Sequence, residues 1–158
     1  WDDDNLFFGC EVTDDAYANP NTDDKCWNGD SIQFAVDTLN DTPDGSDAFD
    51  GNDYRVVVAL TAKGPQHDRS VYGNSKLTPG QIPGAKCMVR RKSSGLVYEL
   101  SIPWKELKPF IPALYGRMRF NFIINDDDGQ GRSKWIGITP GLGEMKAPSL
   151  YKQLVLLD

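Results

Sequence analysis

The sequence has no long apolar stretch and only one histidine. No apolar run approaches the ~20 residues that a membrane-spanning helix needs, so we do not expect a membrane partner. The single histidine, His67, lies in a Gly- and Pro-rich stretch, and no Gly-x-Ser-x-Gly motif is present, which argues against nucleophilic catalysis. These absences favour a protein that is not an enzyme.

Cysteine is scarce as well, and none of the three cysteines forms a Cys-x-x-Cys pair, so a structural zinc site is not indicated. Two alternatives remain open for Cys10, Cys26 and Cys87: one disulfide with one thiol, or three buried free thiols. Cys10 occupies an apolar strand position that suits burial, whereas Cys26, beside Trp27, is the better disulfide candidate.

Negative charge prevails, with 17 Lys and Arg against 23 Asp and Glu and a net charge of −6. Nucleic acid is not an expected partner, because phosphate binding needs clustered Lys and Arg. The acidic residues are 19 Asp and only 4 Glu. Asp favours turns and loop ligation, so this bias predicts Asp-rich loops in a β-protein, and calcium as a cofactor.

Apolar and polar residues alternate in several short stretches, which is the pattern of half-buried β-strands. In "SIQFAVD" (31–37), Ile32, Phe34 and Val36 share one face and Gln33 lies on the other. Similar patterns predict strands over residues 6–12, 54–60, 86–91, 96–102, 118–124, 134–138 and 150–157. We expect a single domain, residues 1–158, folded as an all-β, two-sheet antiparallel sandwich of the jelly-roll type.

Two other stretches lack this alternation. Residues 61–84 read as an irregular connection with one short strand near residues 70–72. "PWKELKPF" (103–110) carries the only helical signal, with Pro103 at a first-turn position. One short helix is therefore expected.

A candidate sugar site follows from the polar face of these strands. Sugar rings have apolar faces that stack on aromatic side chains, and their hydroxyls need polar partners. Trp27 precedes the strand that displays Gln33, and Arg55 lies on the outer face of the next strand. Asn125 lies on the same outer face of a later strand. The alternatives are a tryptophan at the core edge, a surface ion pair for Arg55 and a turn-forming Asn125.

A candidate calcium loop is "NDDDGQGR" (125–132), in which Asp126 and Asp128 occupy alternate positions. It lacks the glutamate of an EF-hand. Asp14 and Asp15, at the end of the first predicted strand, are further candidate ligands. The alternative is that these carboxylates are solvated turn residues.

The order of several motifs resembles the family 9 carbohydrate-binding modules and their DOMON-like relatives. The motifs are "WDDDNLFFGCEVTDD", "CWNGDSIQFAVD", "YELSIPWKEL", "MRFNFIINDDDG", "KWIG" and "APSLYKQLVL". The resemblance implies a non-catalytic β-sandwich that binds poly- or oligosaccharide and structural calcium. It also implies a secreted, extracellular or periplasmic protein of several domains, with a further N-terminal strand ahead of this sequence.

By position, the resemblance places Trp27 at the first of two sugar-clamping tryptophans. It places Gln33, Arg55 and Asn125 at hydroxyl-contacting positions. The second clamping tryptophan falls near Met145, where this sequence has no aromatic residue. The resemblance also assigns structural roles to the tryptophans at positions 104 and 135.

Two other functions remain open. Some DOMON-like relatives hold haem b between a Met and a His or Lys, and this sequence offers Met88, Met118, Met145 and His67. Alternatively, the domain is a structural or targeting spacer without a ligand.

Overall fold

The computed structural model describes residues 1–158 and consists mainly of β-strands. The nine strands are β1 (Asn5–Thr13), β2 (Ser31–Asp37), β3 (Asp53–Thr61), β4 (Gly64–Val71), β5 (Lys86–Lys92), β6 (Gly95–Pro103), β7 (Arg117–Asp126), β8 (Lys134–Gly137) and β9 (Lys152–Val155). Three 3-10 helices span Asp23–Asn28, Trp104–Leu107 and Pro148–Leu150. None of these helices has the length and apolarity needed to cross a bilayer.

The strands form two antiparallel sheets, as predicted. The smaller sheet has the order β1-β6-β5, and the larger has the order β4-β3-β2-β7-β8, with β9 also paired to β7. The expected hairpin of β5 and β6 is present, and both strands pair in full register from Lys86↔Ser101 to Lys92↔Gly95. The all-β sandwich prediction is therefore confirmed.

The main core lies between the two sheets and contains 17 buried residues. Phe8 of β1 stacks on Phe34 of β2 with ring centres 5.1 Å apart, so alternate aromatic positions join the sheets. Met118 of β7 is fully buried here, as its place among the alternating apolar residues of the strand predicts. Burial of these alternating side chains is the main stabilising contribution to the fold.

The other face of the larger sheet is also covered, which the alternation pattern did not predict. Every residue of β2 is buried, Gln33 included. Ala35 of β2 and Ile123 of β7 pack against Leu142 and Tyr151 from the segment that follows β8. β2 is therefore a central strand buried on both faces rather than a half-buried one.

Residues 64–71 were expected to be mostly irregular, but they form the eight-residue strand β4. Gly64, with φ of +95°, begins this strand directly after the turn, and Pro65 is accommodated because β4 is an edge strand. Two short 3-10 helices are present besides the expected one, and the last strand is shorter than predicted. All three thiols are free, and Cys26 is buried rather than paired.

Candidate functional site

A cavity of about 170 Å³ opens on the outer side of the larger sheet. Its lining residues are Trp27, Gln33, Arg55, Arg132, Leu142, Gly143, Glu144, Met145 and Lys146. The structure thus brings together Trp27, Gln33, Arg55 and Met145, which the sequence had named from four separate segments. Arg132 and Lys146 were not anticipated from the sequence.

Trp27 is held at this cavity by the 3-10 helix Asp23–Asn28, whose carbonyl groups are bound by two asparagine side chains. Asn19 Nδ2 donates to the carbonyl of Cys26 at 2.9 Å, and Asn21 Nδ2 donates to the carbonyl of Asn28 at 2.8 Å. The indole is half-buried and packs against a small cluster of Cys26, Val57 and Ala59. Trp27 therefore forms a fixed wall of the cavity rather than part of the main core.

A second loop, after β7, is tied to the Trp27 segment by two aspartates. Asp127 Oδ1 accepts the N–H groups of residues 129, 130 and 131 at 2.7, 2.8 and 2.8 Å, which fixes the turn that leads into Arg132. The N–H of Asp127 donates to Asp30 Oδ1 at 3.0 Å. Burial, partly opposed by two backbone N–H groups, raises the pKa of Asp30 to about 6. Asp127, which is 1% exposed, therefore organises the turn.

Arg132 contacts two tryptophans at once. Its guanidinium carbon lies 5.0 Å from the ring centre of Trp27 and 4.8 Å from that of Trp135. The same side chain donates to Asn125 Oδ1 at 3.2 Å and to the carbonyl of Gly143 at 3.4 Å. A Cβ atom on Gly143 would lie 2.2 Å from Trp135 Nε1, so this close approach requires glycine.

Asn125 lies under the cavity rather than in its wall. It is 1% exposed, and its Oδ1 accepts from Gln33 Nε2 at 3.2 Å in addition to Arg132. Its Nδ2 donates to Ser31 Oγ at 2.8 Å, and Ser31 in turn donates to the carbonyl of Gly29. Asn125 is therefore a positioning residue that holds Gln33 and Arg132 in place.

The remaining walls are charged or exposed. Arg55 donates to Ser70 Oγ at 2.9 Å, and its buried Nε has no hydrogen-bond partner. Met145 is 44% exposed and lies at the rim, where no second aromatic ring faces Trp27 from that position. The Lys146 ammonium lies 4.9 Å from the ring centre of Tyr72. The cavity thus offers one aromatic wall, an amide and several cations.

The four aspartates expected to bind calcium do not form one ligand set. Asp14 and Asp126 line a neighbouring cleft, where Asp126 pairs with Lys134 at 3.5 Å, while Asp15 and Asp128 are exposed elsewhere. No group of three His, Cys, Asp or Glu side chains is arranged to hold a metal ion. Calcium binding stays a prediction, and a chelator that lowers the melting temperature would support it.

The residues considered for haem ligation lie apart in the fold. Met118 is in the core, Met88 is on the outer face of the smaller sheet, and Met145 is at the cavity rim. His67 uses Nε2 to accept the N–H of Ile82 at 3.1 Å, so the structure gives its ring a structural contact.

Comparison with known proteins identifies the family to which the chain belongs. The model of a family described as "carbohydrate family 9 binding domain-like" matches residues 1–158. The chain belongs to this family. A comparison with curated protein sequences found no match.

Two solved structures of family 9 carbohydrate-binding modules, both from Caldicellulosiruptor kristjanssonii, share this fold. One, in complex with cellotriose, has a TM-score of 0.74 and 21% identity, over 99% of this chain and 71% of that chain. The other, in complex with glucose, has a TM-score of 0.73 and 20% identity, over 99% of this chain and 72% of that chain. At this identity the likeness establishes the fold of the family 9 domain and not its ligand.

The other tryptophans of this family 9 domain have distinct surroundings. Trp104 is 5% exposed and packs against Phe110, and its Nε1 donates to the carbonyl of Asp2 at 2.9 Å. Trp135, which was expected to be structural too, is 40% exposed and lies beside Arg132. Trp104 is thus a core residue, whereas Trp135 belongs to the surroundings of the cavity.

Proposed function

We propose that this family 9 domain is a non-catalytic module that binds poly- or oligosaccharide at the Trp27 cavity. The observation that carries the proposal is the convergence of Trp27, Gln33 and Arg55 on one cavity, with Asn125 holding Gln33 from below. The indole, over which the Arg132 guanidinium lies, offers apolar surface to a sugar ring, and the buried Gln33 amide and the guanidinium groups offer partners for hydroxyls at the cavity floor and wall. The family match and the sugar complexes of the two similar structures support this proposal.

The setting that we propose is a secreted protein in which the module is joined to a polysaccharide-degrading or polysaccharide-associated part. The module supplies affinity for the polysaccharide, and the chemistry is carried out elsewhere in that protein. The cavity contains no histidine, cysteine or serine, and its one carboxylate, Glu144, is exposed. A nucleophile with an adjacent base is therefore missing from the lining.

Isothermal titration with glucose, cellobiose, cellotriose and xylo-oligosaccharides tests the proposal. We expect measurable binding of at least one of these sugars. Trp27→Ala should weaken that binding by roughly twofold to twelvefold, because an aromatic contact contributes about 0.5–1.5 kcal/mol beyond the buried area.

Phe7→Ala is the matched control, because Phe7 is an aromatic residue that is 53% exposed on the outer face of the other sheet. Affinity should be unchanged in this variant. Unaltered binding by Trp27→Ala would show that the sugar does not bind at Trp27. Loss of binding in Phe7→Ala alone would move the site to the smaller sheet. Either result would overturn the proposal. No binding of any sugar, neutral or charged, would overturn it entirely.

A further inference from the structure

The cavity is positively charged in a protein that is negatively charged overall. The whole chain carries a net charge of −6, yet Arg55, Arg132 and Lys146 all line this cavity. Glu144 is the only acidic residue in the lining, and it is exposed at the rim. The lining therefore has three cations and one anion, against the trend of the rest of the molecule.

None of the three cations is neutralised by an ion pair. The six ion pairs of the structure all involve other residues. Arg132 donates only to the neutral oxygens of Asn125 and Gly143, and Arg55 donates to the hydroxyl of Ser70. The charge of Arg55 acts to lower the pKa of Asp68, but the two side chains do not form an ion pair. The cations are thus held by neutral groups.

The two guanidinium groups also repel each other. Burial lowers the pKa of Arg132, and the positive charge of Arg55 lowers it further. A guanidinium is a planar donor fork that matches a carboxylate or sulfate with two parallel hydrogen bonds. An anion placed between these groups would relieve the repulsion and accept from guanidinium N–H groups that have no partner in the protein.

We infer that the saccharide bound at this cavity is acidic and that Arg55, Arg132 and Lys146 contact its carboxylate or sulfate group. This inference rests on the proposed sugar-binding function and names the ligand class for that same site. The Trp27 wall and the Gln33 amide contact the uncharged part of the sugar, so recognition requires both the ring and the charge.

The test compares pairs of related sugars in which one member carries an acidic group and the other is neutral. The titrations use methyl glucuronide against its methyl ester, galacturonate against galactose, and glucose 6-sulfate against glucose, with inorganic sulfate as a separate probe. We expect the charged member to bind about tenfold tighter or more at low salt, because charge-assisted hydrogen bonds are worth about 1.5–3 kcal/mol. The uronates and the sulfate ester distinguish a carboxylate from a sulfate ligand.

The preference for charge should shrink as salt rises from about 20 mM to about 500 mM, because screening weakens exposed charge interactions. Arg132→Gln and Lys146→Gln should each reduce the ratio of charged to neutral affinity. Lys146 is exposed, so its variant keeps the test valid if Arg132→Gln does not fold. Arg90→Gln, on the smaller sheet, removes the same charge far from the cavity and should leave the ratio unchanged.

The outcomes separate this inference from the function on which it rests. Equal affinity for charged and neutral sugars would overturn the acidic ligand and leave sugar binding intact. Inorganic sulfate that binds as tightly as the sugar acids would also overturn the inference of an acidic saccharide, because the site would then bind an anion without contacting a sugar ring. Absence of binding to every sugar would overturn both.

Discussion

Asp37 and Asp53 lie directly opposite each other on β2 and β3, and both side chains are buried, at 0% and 1% exposure. Like charges in directly opposed strand positions are destabilising. Asp37 accepts the N–H groups of Asp41 and Thr42, whereas Asp53 Oδ1 is buried without a partner. Burial raises the pKa of Asp53 to about 7, and the charge of Asp37 contributes to that rise.

This pair predicts a pH-dependent stability. The folded protein holds the proton of Asp53 up to about pH 7, whereas the ordinary value in an unfolded chain is 3.8. The stabilising effect of that proton is complete below the unfolded value and is lost as the pH rises to about 7. Asp53→Asn cannot lose this proton, so its melting temperature should fall less than that of the native protein from about pH 5 to about pH 8.

At about pH 8 the variant should be more stable by on the order of 1 kcal/mol. Asp30 titrates in both proteins and acts in the same direction, so only the difference between the two melting profiles is informative. Parallel profiles would contradict the assignment of the proton to Asp53.

The buried ion pair of Arg69 and Glu106 predicts a large loss of stability on substitution. Arg69 is 1% exposed, pairs with Glu106 at 3.1 Å and also donates to the carbonyl of Thr78 at 2.7 Å. Arg69→Met leaves a buried carboxylate without its partner, so the free energy of unfolding should drop by about 3 kcal/mol or more. Urea denaturation measures this change.

The exposed pair of Arg90 and Glu99, at 3.7 Å, provides the matched comparison. Arg90→Met should alter the free energy of unfolding by less than about 0.5 kcal/mol. If both variants lose a similar free energy of unfolding, burial is not the reason why the Arg69–Glu106 pair stabilises the fold.

Asn121 should link stability to ligand binding. Its Nδ2 donates to the carbonyls of Thr139 and Pro140, each at 3.0 Å, at the start of the segment that carries Met145 and Lys146. Asn121→Asp keeps the shape and removes both donors, which should cost about 2 kcal/mol and weaken sugar binding. Denaturation, titration and limited proteolysis of residues 139–151 measure the effects.

The same substitution at the exposed Asn74 controls for the added charge and should leave both properties unchanged. If Asn121→Asp lowers stability but binding stays at the native level, the segment does not depend on this anchor for its position at the cavity.

Thiol labelling tests the state of the cysteines. Burial raises the pKa of Cys26 and of Cys87 to about 11, and it also raises the pKa of Cys10. Cys26 is 1% exposed, so we expect it to resist labelling in the native protein, with all three thiols reacting after denaturation. A single reactive thiol in the denatured protein would reveal a disulfide instead.

Much of the sandwich is predictable because alternation has a period of two and marks a strand directly. β2, β3 and β7 carry strong alternation and were placed correctly. β4 was missed because it is an edge strand that includes Pro65 and Asp68 and needs no continuous apolar face. The burial of Gln33 was missed because a distant segment of the chain supplies the cover.

The candidate site was predictable in part, as the sandwich was. Gln33, Arg55 and Asn125 share one side of the sheet, and strand parity is enough to place them there. Arg132 could not be placed in this way, because its position depends on the turn around Asp127 and on the contact of that turn with Asp30. The sequence signal was present as an arginine three residues after the Asp128-Gly129 pair, but its neighbours are remote in the chain.

The location of Glu144, Met145 and Lys146 on an exposed loop separates selectivity from folding in this domain. These side chains complete the cavity without entering any of the three core clusters, whereas every residue of β2 is buried. Replacement of this short loop would therefore give variants that fold alike and prefer different glycans, whereas equivalent changes in β2 would cost the sandwich itself.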